Sequence, residues 1–192
     1  QVKAQQTTVY VFPESYTVPD IGLDFTVNIA IQNVSDLYGW QFKLYYPGDI
    51  LNGTSLTEGP FLKADGVFTF FMLYEFTDAY NETHGLITAL CTRTESVSGV
   101  NGSGVLAKIT FRSKLTSETK VLNLAEVNLS DSYVNKIPCS AVNGEVKVVP
   151  EFPATLILLL LVVSTLAAIA FKKTPLSTKF KRALRQAFIR QT

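Results

Sequence analysis

Catalysis needs an acid, a base, a nucleophile or a metal set, and few residues of this chain could supply one. His84 is the single histidine. It sits in the turn-rich run Asn81-Glu82-Thr83-His84-Gly85, where an exposed loop position is expected. Glu75 with Asp78, and Glu58 with Asp65, are close enough in sequence to form carboxylate pairs of the kind that share general acid and base work, yet both also fit solvated loop or strand ends. No serine stands in a nucleophile-elbow pattern, and no glycine-rich phosphate loop leads from a strand into a helix. Asp20, Asp24, Asp36 and Asp49 would bind calcium only if loops gathered them, because the dense alternating spacing of a calcium loop is absent. The inventory points away from an enzyme and names no cofactor.

Two further residue types carry covalent chemistry. Cys91 and Cys139 are an even pair, and their expected disulfide would contribute roughly 4 kcal/mol by closing a loop of about 50 residues. Five sequons of the form N-x-S/T, at Asn33, Asn52, Asn81, Asn101 and Asn128, are spread through the first 150 residues and predict glycosylation and export. The chain begins at Gln1 without an initiator methionine or an apolar leader, and is read as mature after removal of a signal peptide.

Charge is divided sharply along the chain. All sixteen acidic residues fall between Glu14 and Glu151, and the first 151 residues carry ten Lys/Arg, whereas the segment from Lys172 onward has seven basic residues and no acidic one. An acidic N-terminal region argues against nucleic acid, whose phosphate backbone calls for a concentrated basic face. From Phe152 to Phe171 twenty residues carry no charge, and as a helix they would span about 30 Å, the thickness of a hydrocarbon core. The expected organisation is an extracellular domain over 1–149, a linker over 150–153, a transmembrane helix over 154–171 and a basic cytoplasmic tail over 172–192. The tail places Leu176, Phe180, Leu184 and Phe188 four residues apart. That spacing predicts an amphipathic helix on the inner leaflet, with Lys172, Lys173, Lys179, Phe180, Lys181, Arg182, Arg185 and Phe188 at the membrane surface. The localisation that follows is a single pass of the cell membrane, N-terminal domain outside and C-terminus inside.

Before Pro150 the recurring apolar period is two. Strands are expected at Thr7 to Phe12, at Leu23 to Ile31, at Tyr38 to Tyr46, and at about 67–76, 86–92, 105–112, 120–124, 126–130 and 142–149. Asn33, Ser35 and Asp36 are read as a turn, and Pro47-Gly48 as a stop. Short strands with polar connectors bury one face each by forming two packed sheets. The run VFTFFMLYEF over 67–76, apolar on both faces, is expected near the centre of a sheet. Trp40 shares a face with Phe42 and Leu44 and is placed in the core, leaving Tyr45 as the better surface aromatic.

Residues 9–149 resemble the cohesin-like domain of archaeal surface proteins, related to the cohesins of bacterial cellulosomes. The resemblance rests on VYVFPESYTV, LDFTVNIAIQNVSDLYGWQFKLYYPGDIL, EGPFLKADG, GVNGSGVLAKITF and IPCSAVNGEVKVV. It implies an all-β jelly-roll sandwich of about nine strands whose work is non-catalytic protein recognition, one sheet face receiving a calcium-loaded dockerin in cellulosomes. Pro47-Gly48 stands where the family usually has Asp-Pro. Residues 150–173 also resemble a PEF-type archaeal sorting signal. The function expected is a binding or scaffold protein whose partner is another envelope protein or a second copy, with membrane lipid met through the anchor. Sugar binding through Tyr38, Trp40, Tyr45 and Tyr46, or a place as accessory subunit of a membrane complex, are the alternatives.

Overall fold

The computed structural model describes residues 6–115, 118–149 and 154–173, the helix side chains over 158–169 only. The chain divides into two compact units, Gln1–Pro150 and Glu151–Thr192.

The first unit is all β. Its strands are β1 (Thr8–Phe12), β2 (Ser15–Val18), β3 (Asp24–Leu37), β4 (Gly39–Pro47), β5 (Leu51–Glu58), β6 (Thr69–Thr77), β7 (His84–Arg93), β8 (Val100–Ser113), β9 (Lys120–Ser130), β10 (Ser140–Val142) and β11 (Gly144–Val148), with a short 3-10 turn at Phe61–Lys63. They form a five-stranded sheet in the order β10-β1-β3-β8-β5 and a six-stranded sheet in the order β2-β11-β9-β4-β7-β6. The N- and C-terminal segments change sheets together. β1 pairs parallel with β10 in one sheet, and after Pro13 β2 pairs parallel with β11 in the other. The first and last strands of this unit can pair in parallel because the whole sandwich lies between them as the crossover.

Period-two alternation builds the core. Phe25, Val27, Ile29 and Ile31 of β3 are buried, as are Trp40, Phe42, Leu44 and Tyr46 of β4, and Leu106, Ile109 and Phe111 of β8. Burying an apolar side chain of this size contributes about 1.5–3 kcal/mol. Trp40 lies in this core as expected, stacked on Phe42 with ring centroids 5.4 Å apart.

Several local expectations are corrected. β3 runs on through the supposed turn to Leu37, because Asn33 (φ 58°) and Asp36 (φ 54°) take up left-handed bulge conformations instead of reversing the chain. The segments 120–124 and 126–130 are one strand, β9, bulged at Glu126 (φ 46°). The run over 67–76 is not central. β6 is the edge of the six-stranded sheet, and Phe68, Phe70, Met72 and Tyr74 stay exposed.

The expected disulfide is absent, since Cys91 and Cys139 are free thiols. Cys91 is on β7, next to the β6 edge of the six-stranded sheet, whereas Cys139 leads into β10, at the edge of the five-stranded sheet that lies across from β5. The two residues therefore belong to opposite sides of the sandwich. The Cys91 thiol donates to Glu58 Oε1 at 3.5 Å, and burial, reinforced by the Glu58 charge, pushes it up to about 12. A thiol reagent at pH 8 without reductant is expected to label Cys139 in the native protein, and Cys91 only after denaturation. No label until a reductant is added would restore the disulfide.

In the second unit the helix α1 covers Ala154–Lys173, and the hydroxyls of Ser164 and Thr165 donate to Leu161 O and Val162 O, bonding back one turn. The transmembrane span expected over 154–171 is overturned: among the described residues no helix is long and apolar enough to cross a membrane. The single-pass cell-membrane localisation and the membrane-lipid partner depended on that span and fall with it. The tail residues Lys179, Phe180, Lys181, Arg182, Arg185 and Phe188 lie outside the described residues, as do the side chains of Lys172 and Lys173.

Candidate functional site

The carboxylates that could have served catalysis have separate partners. Asp78 Oδ1 accepts from Tyr46 OH at 2.6 Å and from Gly53 N at 2.7 Å. Burial, and then the Asp78 bond, push the Tyr46 hydroxyl far above its usual range. Glu58 accepts from Lys63 Nζ and Thr69 Oγ1, and Asp65 pairs with the buried Arg93. His84, expected in an exposed loop, is instead the half-buried first residue of β7, paired with Pro47, and its Nδ1 lies 2.8 Å from Thr83 Oγ1. Asp24 forms a bidentate pair with Arg112, and Asp36 accepts from Gly99 N and Ser132, so these two aspartates are engaged apart from each other. Among the described residues no three His, Cys, Asp or Glu side chains gather as a metal site.

The two sheet faces differ in chemistry. Outward positions of the five-stranded sheet carry Thr26 bonded to Thr110, and the Asp24–Arg112 pair. At the β1–β10 edge of the same sheet Phe12 and Val142 are exposed. The six-stranded sheet presents instead the row Phe68, Phe70, Met72 and Tyr74, of which Phe68 is 78% and Tyr74 75% exposed. Met72 faces Leu90 across β6 and β7, and Leu90 faces Gln41 across β7 and β4. The apolar row thus continues inward from β6 to Leu90 on β7 and meets the polar Gln41 on β4.

Two hollows lie side by side on this face. One, of about 340 Å³, is lined by Gly39, Gln41, Leu90, Thr92, Asn128, Val134 and Lys136 among others; the second, of about 310 Å³, by Gln41, Lys43, Tyr74, Glu75, Thr88, Leu90 and Glu126. Gln41 and Leu90 belong to both. The β9 bulge at Glu126 aims that carboxylate at Lys43, 2.8 Å away, and the bond holds the Lys43 ammonium above its usual value. Thr88 is 7% exposed and its hydroxyl has no partner, an unsatisfied polar atom at the floor of the second hollow.

A loop frames the end of the face. Asp131 accepts from Tyr133 N and Asn135 N, leaving Tyr133 and Val134 more than four-fifths exposed. Asp36 ties this loop to the Gly99 segment, and the Ser132 hydroxyl, followed by the Gly99 N–H, holds its carboxyl below the usual range. A group lowered on folding stabilises the fold above its unfolded value, about 3.9, and that contribution disappears as pH falls through the lower folded value. Melting temperature followed from pH 7 to 2 is expected to drop below pH 4, and Asp36→Asn to melt lower at neutral pH with a shallower drop. Identical profiles would show that Asp36 holds nothing in place.

The family model described as Cohesin domain matches residues 11–148. The chain belongs to the cohesin family. As a cohesin domain it is a non-catalytic protein–protein interaction module. Among solved structures, a non-cellulosomal cohesin from the hyperthermophilic archaeon Archaeoglobus fulgidus is similar at 18% identity and TM-score 0.59, covering 79% of this chain and 96% of that one. The seventh ScaB type I cohesin from Pseudobacteroides cellulosolvens gives 22% identity, TM-score 0.56, and 77% and 95% coverage. The sixth cohesin from scaffoldin B of Acetivibrio cellulolyticus, solved in complex with a mutated Cel5 dockerin, gives 16% identity, TM-score 0.58, and 76% and 100% coverage. No curated protein matches the chain.

The aromatic residues considered for sugar stacking are otherwise engaged in this cohesin domain. Trp40 and Tyr46 are in the core, Tyr38 OH donates to Glu95 O, and Tyr45 sits edge-on to Tyr80. Sequence reasoning missed Thr88, Leu90 and the outward row of β6. The signal was present in VFTFFMLYEF, since a strand apolar on both sides is either doubly covered or waiting to be covered.

Proposed function

We propose that this cohesin domain docks a folded protein module on the outer face of its six-stranded sheet, between the β6 edge and the Lys43–Glu126 pair. The observation that carries the reading is the exposed row Phe68, Phe70, Met72 and Tyr74 running into Leu90 at the edge of the six-stranded sheet. Aromatic and Met side chains are enriched in interface cores, and burial of such a row is what a partner would gain. The Thr88 hydroxyl and the Gln41 amide supply hydrogen bonds that fix the pose, and the Lys43–Glu126 pair supplies charge at the rim. Dockerins occupy the cohesin of the Acetivibrio complex, and the partner proposed here is a module of comparable size with an apolar side.

The full chain is used to capture and identify its partner from the cells that make it, and affinity is then titrated. Leu90→Asp and Tyr74→Ala are each expected to weaken binding about 30-fold or more, the loss typical of a central anchor. Thr26→Asp on the opposite sheet is expected to bind as wild type. The reverse pattern would place docking on the five-stranded sheet.

The likeness of residues 150–173 to a PEF-type sorting signal is a proposal carried by sequence alone, with 150–153 outside the described residues. An intact C-terminal peptide containing Phe188 in the native protein would remove it.

A further inference from the structure

We infer that Asn128 is an N-glycosylation site whose oligosaccharide closes the docking face, so that modified and unmodified chains form two populations of which only the second binds; the inference rests on the docking reading above.

The fold sorts the five sequons. Asn33 and Asn52 are half-buried, on β3 and β5 of the five-stranded sheet. Asn101, on β8 of the same sheet, accepts from Asp36 N through its amide oxygen. Asn81 caps the turn before β7, its amide oxygen accepting from Thr83 N and His84 N. Asn128 alone of the five belongs to the six-stranded sheet. It is exposed, stands opposite Gln41 in the β4–β9 ladder, and lines the larger hollow.

Its setting suits transfer of a sugar. The sequon is extended, and Asn128 and Ser130 are two positions apart on one strand, so both side chains point to the outer face. Asn128 Nδ2 makes a single long bond, 3.2 Å, to Glu126 O, which a side-chain rotation breaks. The donor is a lipid-diphosphate-linked oligosaccharide. Nδ2 attacks the anomeric carbon, the N–C bond forms as the C–O bond to diphosphate breaks, Nδ2 gives up one proton, and the lipid diphosphate leaves. No electron is gained or lost overall.

The consequence is steric. Gln41, beside Asn128, belongs to both hollows, so a sugar chain rooted at Asn128 starts at their junction and outgrows a space of about 340 Å³. Glycans at Asn33, Asn52 or Asn101 would grow from the other sheet and leave docking untouched.

The test uses the full chain from the cells that make it, separated into a free pool and a pool complexed with the captured partner, each digested with trypsin. The peptide over 121–136 contains Asn128 and no other sequon. The expected result is a glycan on that peptide in the free pool, depleted at least tenfold in the complexed pool. An unmodified peptide in both pools overturns the inference and leaves the docking reading standing. Equal modification in both pools overturns the closing role. Leu90→Asp in protein made without a glycosyl donor reports on the docking reading by itself, since its unchanged affinity would sink that reading whatever Asn128 carries.

Discussion

Phe111→Ala is expected to lower the unfolding free energy of the sandwich by about 3–5 kcal/mol, the range for emptying a buried aromatic site. Phe111 is fully buried on β8, the strand between β3 and β5. Its ring lies 5.8 Å from Phe25 in its own sheet and 4.9 Å from Tyr46 in the facing one, so it joins the two layers. Tyr46 cannot close the gap, because its hydroxyl is held by Thr77 O and Asp78 Oδ1. Phe76 cannot move in easily either, since its ring already fills the space above Gly53, the residue opposite Phe111 on β5. Urea unfolding should show a lower midpoint with an unchanged slope. A loss under about 1 kcal/mol would mean that this end of the sandwich collapses onto the vacancy.

The same residues show what could be read from sequence. Alternation placed β3, β4 and β8 because buried and more exposed residues take turns along much of each, and that pattern also put Trp40 inside. β2 and β5 were missed for a common reason: SYTV and LNGTSLTE bury one residue each and contain little apolar signal, and they are held by ladder bonds to β11 and β8. Pairing of that kind is a property of the neighbour and leaves no trace in the strand's own composition. The expected strand over 142–149 proved to be β10 and β11 in different sheets, broken at Asn143, whose amide oxygen accepts from Leu124 N. The exposed apolar row of β6 was misplaced for a different reason. Period two says which side of a strand is apolar, but not whether a strand lies at an edge, and β6 was therefore placed in the interior.

Arg93→Ala is expected to be the second large loss, about 3 kcal/mol, and Arg93→Met a much smaller one. The Arg93 side chain is fully buried, donating to Leu62 O at 2.8 Å and to the half-exposed Asp65, while its Nε has no partner. A buried charge with one donor idle carries a desolvation cost that its bonds offset only in part, so an apolar side chain of similar length keeps the packing and removes that cost. Alanine instead leaves a void and frees the segment carrying Leu62 and Asp65. That segment leads through Phe68 into β6, so the truncation also reaches the docking face: partner affinity should fall with Arg93→Ala and hold with Arg93→Met. The Arg93 hydrogen bonds to Asp65 and Leu62, and not the volume of its side chain, would be what fixes the loop if the two variants proved equally unstable by urea titration.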